Sequence, residues 1–182
     1  DGPSYNTTST DGIGRFDVVA FHPTNANIIY AGSCNGGIFK TTNGGTSWQL
    51  QLNIGSSNPT NIYFYNGSTG YISKNTGSSY VRKTTDGGAT WNINVNGEGF
   101  TDMYFADNLT GYRAFGTMKK TTDGGNTWVT QVMPAGGEII TSVITKFSAL
   151  NRDTIWGVGG QIFYGGSQTR GILYRTINGG QN

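Results

Sequence analysis

Apolar and polar residues alternate along this chain in short runs. Phe16–Phe21, Ile28–Ala31, Asn61–Phe64, Asp102–Phe105 and Val143–Phe147 each span four to six residues, with Gly, Asn, Asp, Ser or Thr between them. A period of two with turn residues at the breaks predicts short, half-buried β-strands. No stretch holds the 3.6-residue apolar period of a helix, and no apolar run approaches the ~20 residues of a membrane helix. The reading is an all-β chain of many short strands.

The runs recur in register with a second signal. Lys40-Thr41-Thr42-Asn43-Gly44-Gly45-Thr46-Ser47-Trp48 returns as Lys83 to Trp91 and as Lys120 to Trp128, and in part as Arg175 to Asn182. Asn43, Asp86, Asp123 and Asn178 step by 43, 37 and 55 residues, around the ~40–50 residues of a four-stranded propeller blade. Each unit reads as strand A, turn, strand B, loop, strand C, tight hairpin, strand D. Strand C ends at the cation, as in Ile38-Phe39-Lys40 and Leu173-Tyr174-Arg175. Strand D is expected over Trp48–Leu52, Trp91–Val95 and Trp128–Val132. The blades fall near 11–52, 60–95, 100–132 and 141–182.

The repeated block suits a hairpin. Asn43, Asp86, Asp123 and Asn178 accept backbone N–H bonds in an Asx-turn, helped by Thr41, Thr84, Thr121 and Thr176. The second glycines Gly45, Gly88, Gly125 and Gly180 supply positive φ. Trp48, Trp91 and Trp128 bury a large ring at the start of strand D. This is the Asp-box pattern, S/T-x-D-x-G-x-T-W, with Asn for Asp in two copies.

Composition narrows the class. Among 182 residues there are 30 glycines, and charged residues make up 12%, against ~7% and ~25% in ordinary domains. Helical rods and collagen are excluded, and aromatics at 13% argue against charge-driven disorder. A net charge of +2 gives no nucleic-acid or membrane footprint. Cys34 is the one cysteine, so no intrachain disulfide, zinc site or cofactor is expected. The opening Asp1-Gly2-Pro3 reads as a processed chain or an excised piece.

On these residues the chain resembles the Asp-box (bacterial neuraminidase repeat) β-propellers. Gly14–Asn25 through Gly36–Lys40 resembles family 74 xyloglucanases and sortilin-type propellers, as in large secreted Bacteroidetes proteins. Phe105–Tyr112 resembles the photosystem II assembly-factor family. The resemblance implies a propeller of six to eight blades of which about four are present. The other count is a complete four-bladed propeller closed by Ser4–Thr10 as the missing strand D.

Strand order puts the D–A and B–C loops on one face and the A–B turns with the boxes on the other. Ligand sites in the resembling propellers use the D–A/B–C face. The longest B–C loop, Gly159–Gly171, carries Phe163, Tyr164 and Arg170 as candidate binding residues. Glu98 and Glu138 are binding candidates in D–A loops. A glycosidase needs two carboxylates flanking the bond, and the only candidate pairs are Glu98 with Glu138 and Asp17 with Asp102. The Arg-Ile-Pro motif of sialidases is absent from the sequence. The cations Lys40, Lys83, Lys120 and Arg175 either cover apolar surface with their charge in water or form a stripe for an acidic glycan. Cys34 is a possible reactive thiol, and His22 reads as a turn residue before Pro23. One carboxylate per blade offers no metal site.

The expected function is a non-catalytic binding or scaffolding module of a secreted or cell-surface protein, or a periplasmic one. It would recognise a protein or glycan through one propeller face, with further blades or domains of the same polypeptide as possible neighbours. The alternative is a glycoside hydrolase fragment, xyloglucanase-like, acting on polysaccharide.

Overall fold

The structure, a computed structural model, describes residues 15–34, 36–55, 57–74, 80–94, 99–165 and 168–181. Glu98 and the Ser4–Thr10 segment lie outside the described residues. The chain divides into two compact units, Asp1–Gly99 and Phe100–Asn182.

The first unit holds two antiparallel four-stranded sheets. The first runs β1 (Phe16–His22), β2 (Asn25–Ser33), β3 (Gly37–Thr41) and β4 (Gln49–Leu52), and the second β5 (Pro59–Phe64), β6 (Gly70–Lys74), β7 (Tyr80–Thr84) and β8 (Asn92–Asn94). Each is a meander in which sequence neighbours pair. The apolar sets of the two sheets meet in one core of Tyr30, Ile38, Ile62, Phe64, Ile72 and Trp91. Within it the rings of Tyr30 and Phe64 stack at 3.9 Å, and Trp91 meets Phe64 edge-on at 5.9 Å.

The second unit repeats the plan. Its third sheet is β9 (Asp102–Phe105), β10 (Gly111–Phe115), β11 (Thr117–Thr121) and β12 (Val129–Thr130). The fourth comprises β13 (Ile139–Thr141), β14 (Lys146–Ala149), β15 (Ile155–Tyr164) and β16 (Gln168–Thr176). Tyr112, Ala114, Met118, Ile144 and Ile155 form the core of this unit.

Three strand boundaries differ from the sequence reading. Each Trp precedes strand D, because its indole packs in the hairpin before the ladder begins. In the third sheet strand D stops at Thr130. In the fourth, strand A is broken: β14 pairs with the first half of β15 and β13 with the second. The expected loop Gly159–Gly171 is therefore mostly ladder. β15 and β16 pair from Ile155↔Thr176 out to Tyr164↔Gln168, with an irregularity between Gly159 and Ile162. Gly159 and Gly160, at φ of 147° and 63°, absorb that irregularity.

Cross-strand size matching explains why glycine opens two of the B strands. Phe64 pairs with Gly70 and Phe105 with Gly111. A Cβ on either glycine would meet the partner ring at 2.6 or 2.7 Å. The fourth sheet reverses the sizes, pairing Ala149 with Ile155.

Candidate functional site

The repeated hairpins share one network. The hydroxyls of Thr41, Thr84, Thr121 and Thr176 donate to the Oδ1 atoms of Asn43, Asp86, Asp123 and Asn178 at 2.7–2.8 Å. The same four hydroxyls accept the N–H groups of Gly45, Gly88, Gly125 and Gly180 at 2.9–3.0 Å. Both glycines of each pair have positive φ, from 67° to 96°; the sequence reading required this only of the second. Trp48 and Trp128 close their hairpins by donating Nε1–H to the Gly45 and Gly125 carbonyls. Trp91 Nε1 is buried with no hydrogen-bond partner among the described residues. Hydroxyl and backbone donors hold two carboxylates well below their ordinary range. Asp86 falls to about 2, chiefly through Thr90, and Asp123 to about 2, chiefly through Thr127.

A second recurring Asx-turn lies at the A–B connections. Asn25 Oδ1 accepts the N–H of Asn27. Asn66, Asp107 and Asn151 each accept two N–H groups, from the residues two and three positions on. The residue two after each Asx then offers its carbonyl to the first glycine of the C–D hairpin: Asn27 to Gly44, Ser68 to Gly87, Leu109 to Gly124 and Asp153 to Gly179. A–B turns and boxes thus sit tied at one end of each sheet. The signal was visible in the sequence as Asx at near-constant spacing, but the stronger Gly-Gly-x-x-Trp pattern hid it.

Lys40 and Lys120 do neither thing expected of the repeating cations, whereas the exposed Arg175 covers an aromatic ring as expected. Lys40 Nζ donates to the Gly87 carbonyl at 2.8 Å, beside the Tyr30 hydroxyl on the same oxygen at 2.8 Å. Lys120 Nζ lies 3.0 Å from the Gly179 carbonyl, and the Tyr112 hydroxyl is 3.2 Å from it and 2.7 Å from that of Arg152. Each ammonium also stands 5.4 Å from its tyrosine ring. Within each unit this Lys–Tyr pair clamps one sheet to the hairpin of the next. Lys83 lies over Tyr71 and Arg175 over Trp156 in the same relation, at 5.5 and 5.6 Å.

The carboxylate candidates are engaged in holding backbone and neighbours. Asp102 Oδ2 accepts the Phe147 N–H at 3.1 Å, and its Oδ1 the Met103 N–H. Asp17 takes an ion pair from Arg15 at 2.5 Å and a hydrogen bond from the Cys34 thiol. Those donors lower the Asp17 pKa, Arg15 first. The Asp17 carboxylate in turn raises that of Cys34. The thiol form is favoured, opposite to what a reactive cysteine needs. His22 closes β1, its Nδ1 3.3 Å from the Thr24 N–H.

The candidate binding residues of the second unit come together. Strands β15 and β16 carry Phe163, Tyr164 and Arg170 on a paired ribbon, and the Phe163 N–H donates to the Glu138 carbonyl at 2.9 Å. Alternation places Tyr164 and Arg170 on one side and Phe163 on the other. The Arg170 guanidinium lies 3.7 Å from the Tyr164 ring centroid. Phe163 is 47% exposed and Tyr164 53%. Glu138 is exposed on the turn leading into β13. Among the described residues no three His, Cys, Asp or Glu side chains gather as metal ligands, and no helix is long and apolar enough to cross a membrane.

Solved structures match this arrangement. An ancestral GH74 enzyme superposes with a TM-score of 0.72 at 17% identity, over 94% of this chain and 25% of its own. The GH74 xyloglucanase from Xanthomonas campestris gives 0.62 at 16%, over 90% and 28%. YCF48 from Cyanidioschyzon merolae gives 0.61 at 14%, over 89% and 56%. YCF48 bound to D1 peptide gives 0.52 at 16%, over 95% and 60%. The fold is that of a β-propeller. Each four-stranded sheet is a blade, and the chain spans about a quarter of the length of the GH74 enzymes. No protein-family model and no curated protein sequence matches the chain.

Proposed function

We propose that this chain is a non-catalytic binding module built of Asp-box blades in a secreted or cell-surface protein. It holds an extended segment of a protein partner against the β15–β16 ribbon. The observation that carries this reading is the half-exposed Tyr164 with the Arg170 guanidinium 3.7 Å over its ring, beside the half-exposed Phe163 on the other side of the ribbon. An aromatic ring held in place by a cation offers contact area at little further entropy cost. The stacked guanidinium favours a segment that carries an acidic side chain beside an apolar one. That YCF48 is found bound to D1 peptide supports a peptide ligand for a chain of this fold. A glycan stacked on the same rings is the alternative ligand.

Hydrolysis has less support. Asp102 and Asp17 are each spent on local donors, whereas a glycosidase pair must face the substrate. The test is a peptide array and a glycan array probed with the 182-residue chain, with release of reducing ends from xyloglucan measured in parallel. The expected result is selective capture of acidic–aromatic peptides without sugar release. Hydrolysis that is lost on Asp102→Asn would overturn the reading.

A further inference from the structure

Asparagine precedes glycine at positions 35, 43, 66, 96 and 178. In such a pair no side chain hinders the glycine nitrogen, which can bond to the asparagine side-chain carbon. Asn35 and Asn96 lie outside the described residues. The two box asparagines are tied down at both reacting groups. The Gly44 N–H donates to the Asn27 carbonyl and the Gly179 N–H to that of Asp153, each at 2.9 Å. Asn43 Oδ1 accepts from the Thr41 hydroxyl and the Ser47 N–H, and its Nδ2 donates to Ser47 Oγ at 2.9 Å. Asn178 is held by the Thr176 hydroxyl and the Gln181 carbonyl.

Asn66, in the A–B connection of the second blade, differs. Its Oδ1 accepts the N–H of Ser68 at 2.9 Å and that of Thr69 at 2.7 Å, which folds the side chain back along the residues that follow it. Two N–H groups on one oxygen polarise the amide carbon and stabilise the charge that develops on that oxygen under attack. Among the described residues the Gly67 N–H donates to no acceptor. Packing keeps glycine at this position: a Cβ on Gly67 would stand 2.8 Å from His22 Nε2. Asn66 is half-buried, and the neighbouring Ser68 is exposed to water. Asn25 and Asn151 make Asx-turns without a following glycine, and Asp107 makes one with a carboxylate.

We infer that Asn66 is a self-modification site that loses its amide to water, while the boxes keep Asn43 and Asn178 intact. The Gly67 nitrogen bonds to Asn66 Cγ. The Cγ–Nδ2 bond breaks, and Nδ2 leaves as ammonia with the proton from Gly67. One water then opens the five-membered imide at either carbonyl, giving aspartate or isoaspartate at 66, with no oxidant or reductant. Aspartate keeps both N–H bonds, as Asp107 does in the third blade. Isoaspartate routes the main chain through Cβ and Cγ, so the Oδ1 acceptor is lost. Ser68, whose carbonyl receives the Gly87 N–H at 2.8 Å, then moves, and the turn releases its box. The site weakens the first unit with time, independently of any ligand on the β15–β16 ribbon.

The test incubates the folded 182-residue chain in mildly alkaline buffer made with heavy-oxygen water. Peptide mapping by mass spectrometry reads the label at each asparagine and tells isoaspartate from aspartate by backbone fragments. Label at 66 should accumulate at least about tenfold faster than at 43 and 178, and the three rates should converge in the urea-unfolded chain. The isoaspartate form, separated by ion exchange, should unfold at lower urea than the Asn66→Asp variant, which should match the unmodified chain. Label appearing at 66 no faster than at 43 and 178 in the folded chain overturns the inference. So does equal stability of the isoaspartate form and the Asn66→Asp variant.

Discussion

Asp86 and Asp123 give the hairpins a pH dependence that Asn43 and Asn178 lack. Their folded pKa values, about 2, lie below the ordinary ~3.9 of an unfolded aspartate. The stabilisation is therefore complete above that ordinary value and is lost as pH falls through ~4 towards 2. Urea midpoints measured from pH 6 to pH 2.5 should drop, and the drop should be shallower in the Asp86→Asn, Asp123→Asn double variant. Amide oxygens keep the turn bonds, as Asn43 shows. A second residue-scale expectation concerns Tyr174, whose hydroxyl is buried without a hydrogen-bond partner among the described residues. Tyr174→Phe removes that cost and should raise stability by up to about 1 kcal/mol in chemical denaturation. A loss of stability would mean that the hydroxyl has a partner. The hairpin residues were legible because one local geometry imposes the same residues four times. The Trp91 and Tyr174 orphans were not, because satisfaction of a buried donor depends on packing between strands far apart in sequence.

The Lys–Tyr clamp belongs to the scale of elements. Lys40 and Tyr30 converge on one oxygen, the Gly87 carbonyl. Lys40→Met and Tyr30→Phe should each cost up to about 1 kcal/mol, and together more than their sum, since either donor alone keeps the carbonyl satisfied. A double-mutant cycle by urea denaturation measures this. Strict additivity would contradict a shared acceptor. Gly88→Ala tests the hairpin in the same unit. Its φ of 86° and a Cβ 3.0 Å from the Tyr30 ring predict a loss of about 1–2 kcal/mol. Strand order, the sharing of one end by A–B turns and boxes, and four blades could be read from the repeat. The destination of the cations could not, because Lys40 finds its acceptor 47 positions away. Nor could the broken strand A of the fourth blade. Between Ile139 and Ala149 apolar residues are mixed with Thr141, Ser142, Thr145, Lys146 and Ser148 without a clear break, and the ladder irregularity lies on the partner strand between Gly159 and Ile162.

At the scale of the whole molecule, most residues that attract notice in the sequence are spent on the fold. The boxes, the cations, Asp102 and Asp17 all have partners within their own unit. What is left unspent in the second unit is the β15–β16 ribbon, with two half-exposed aromatics and one stacked arginine. Alternation in the sequence did not separate this ribbon from a loop, since Gly159, Gly160 and Gly165 interrupt it. The candidate residues Phe163, Tyr164, Arg170 and Glu138 were nonetheless named from their chemistry; the fold puts Tyr164 and Arg170 on one side of the ribbon and Phe163 on the other, with the Glu138 backbone bonded to Phe163. The central claim is that this ribbon binds a protein segment. Its most direct measurement is calorimetric titration of the best array peptide into the wild-type chain and into the Phe163→Ala, Tyr164→Ala double variant. The account predicts at least tenfold weaker binding in the variant with an unchanged melting temperature. Equal affinity in the two proteins would contradict it.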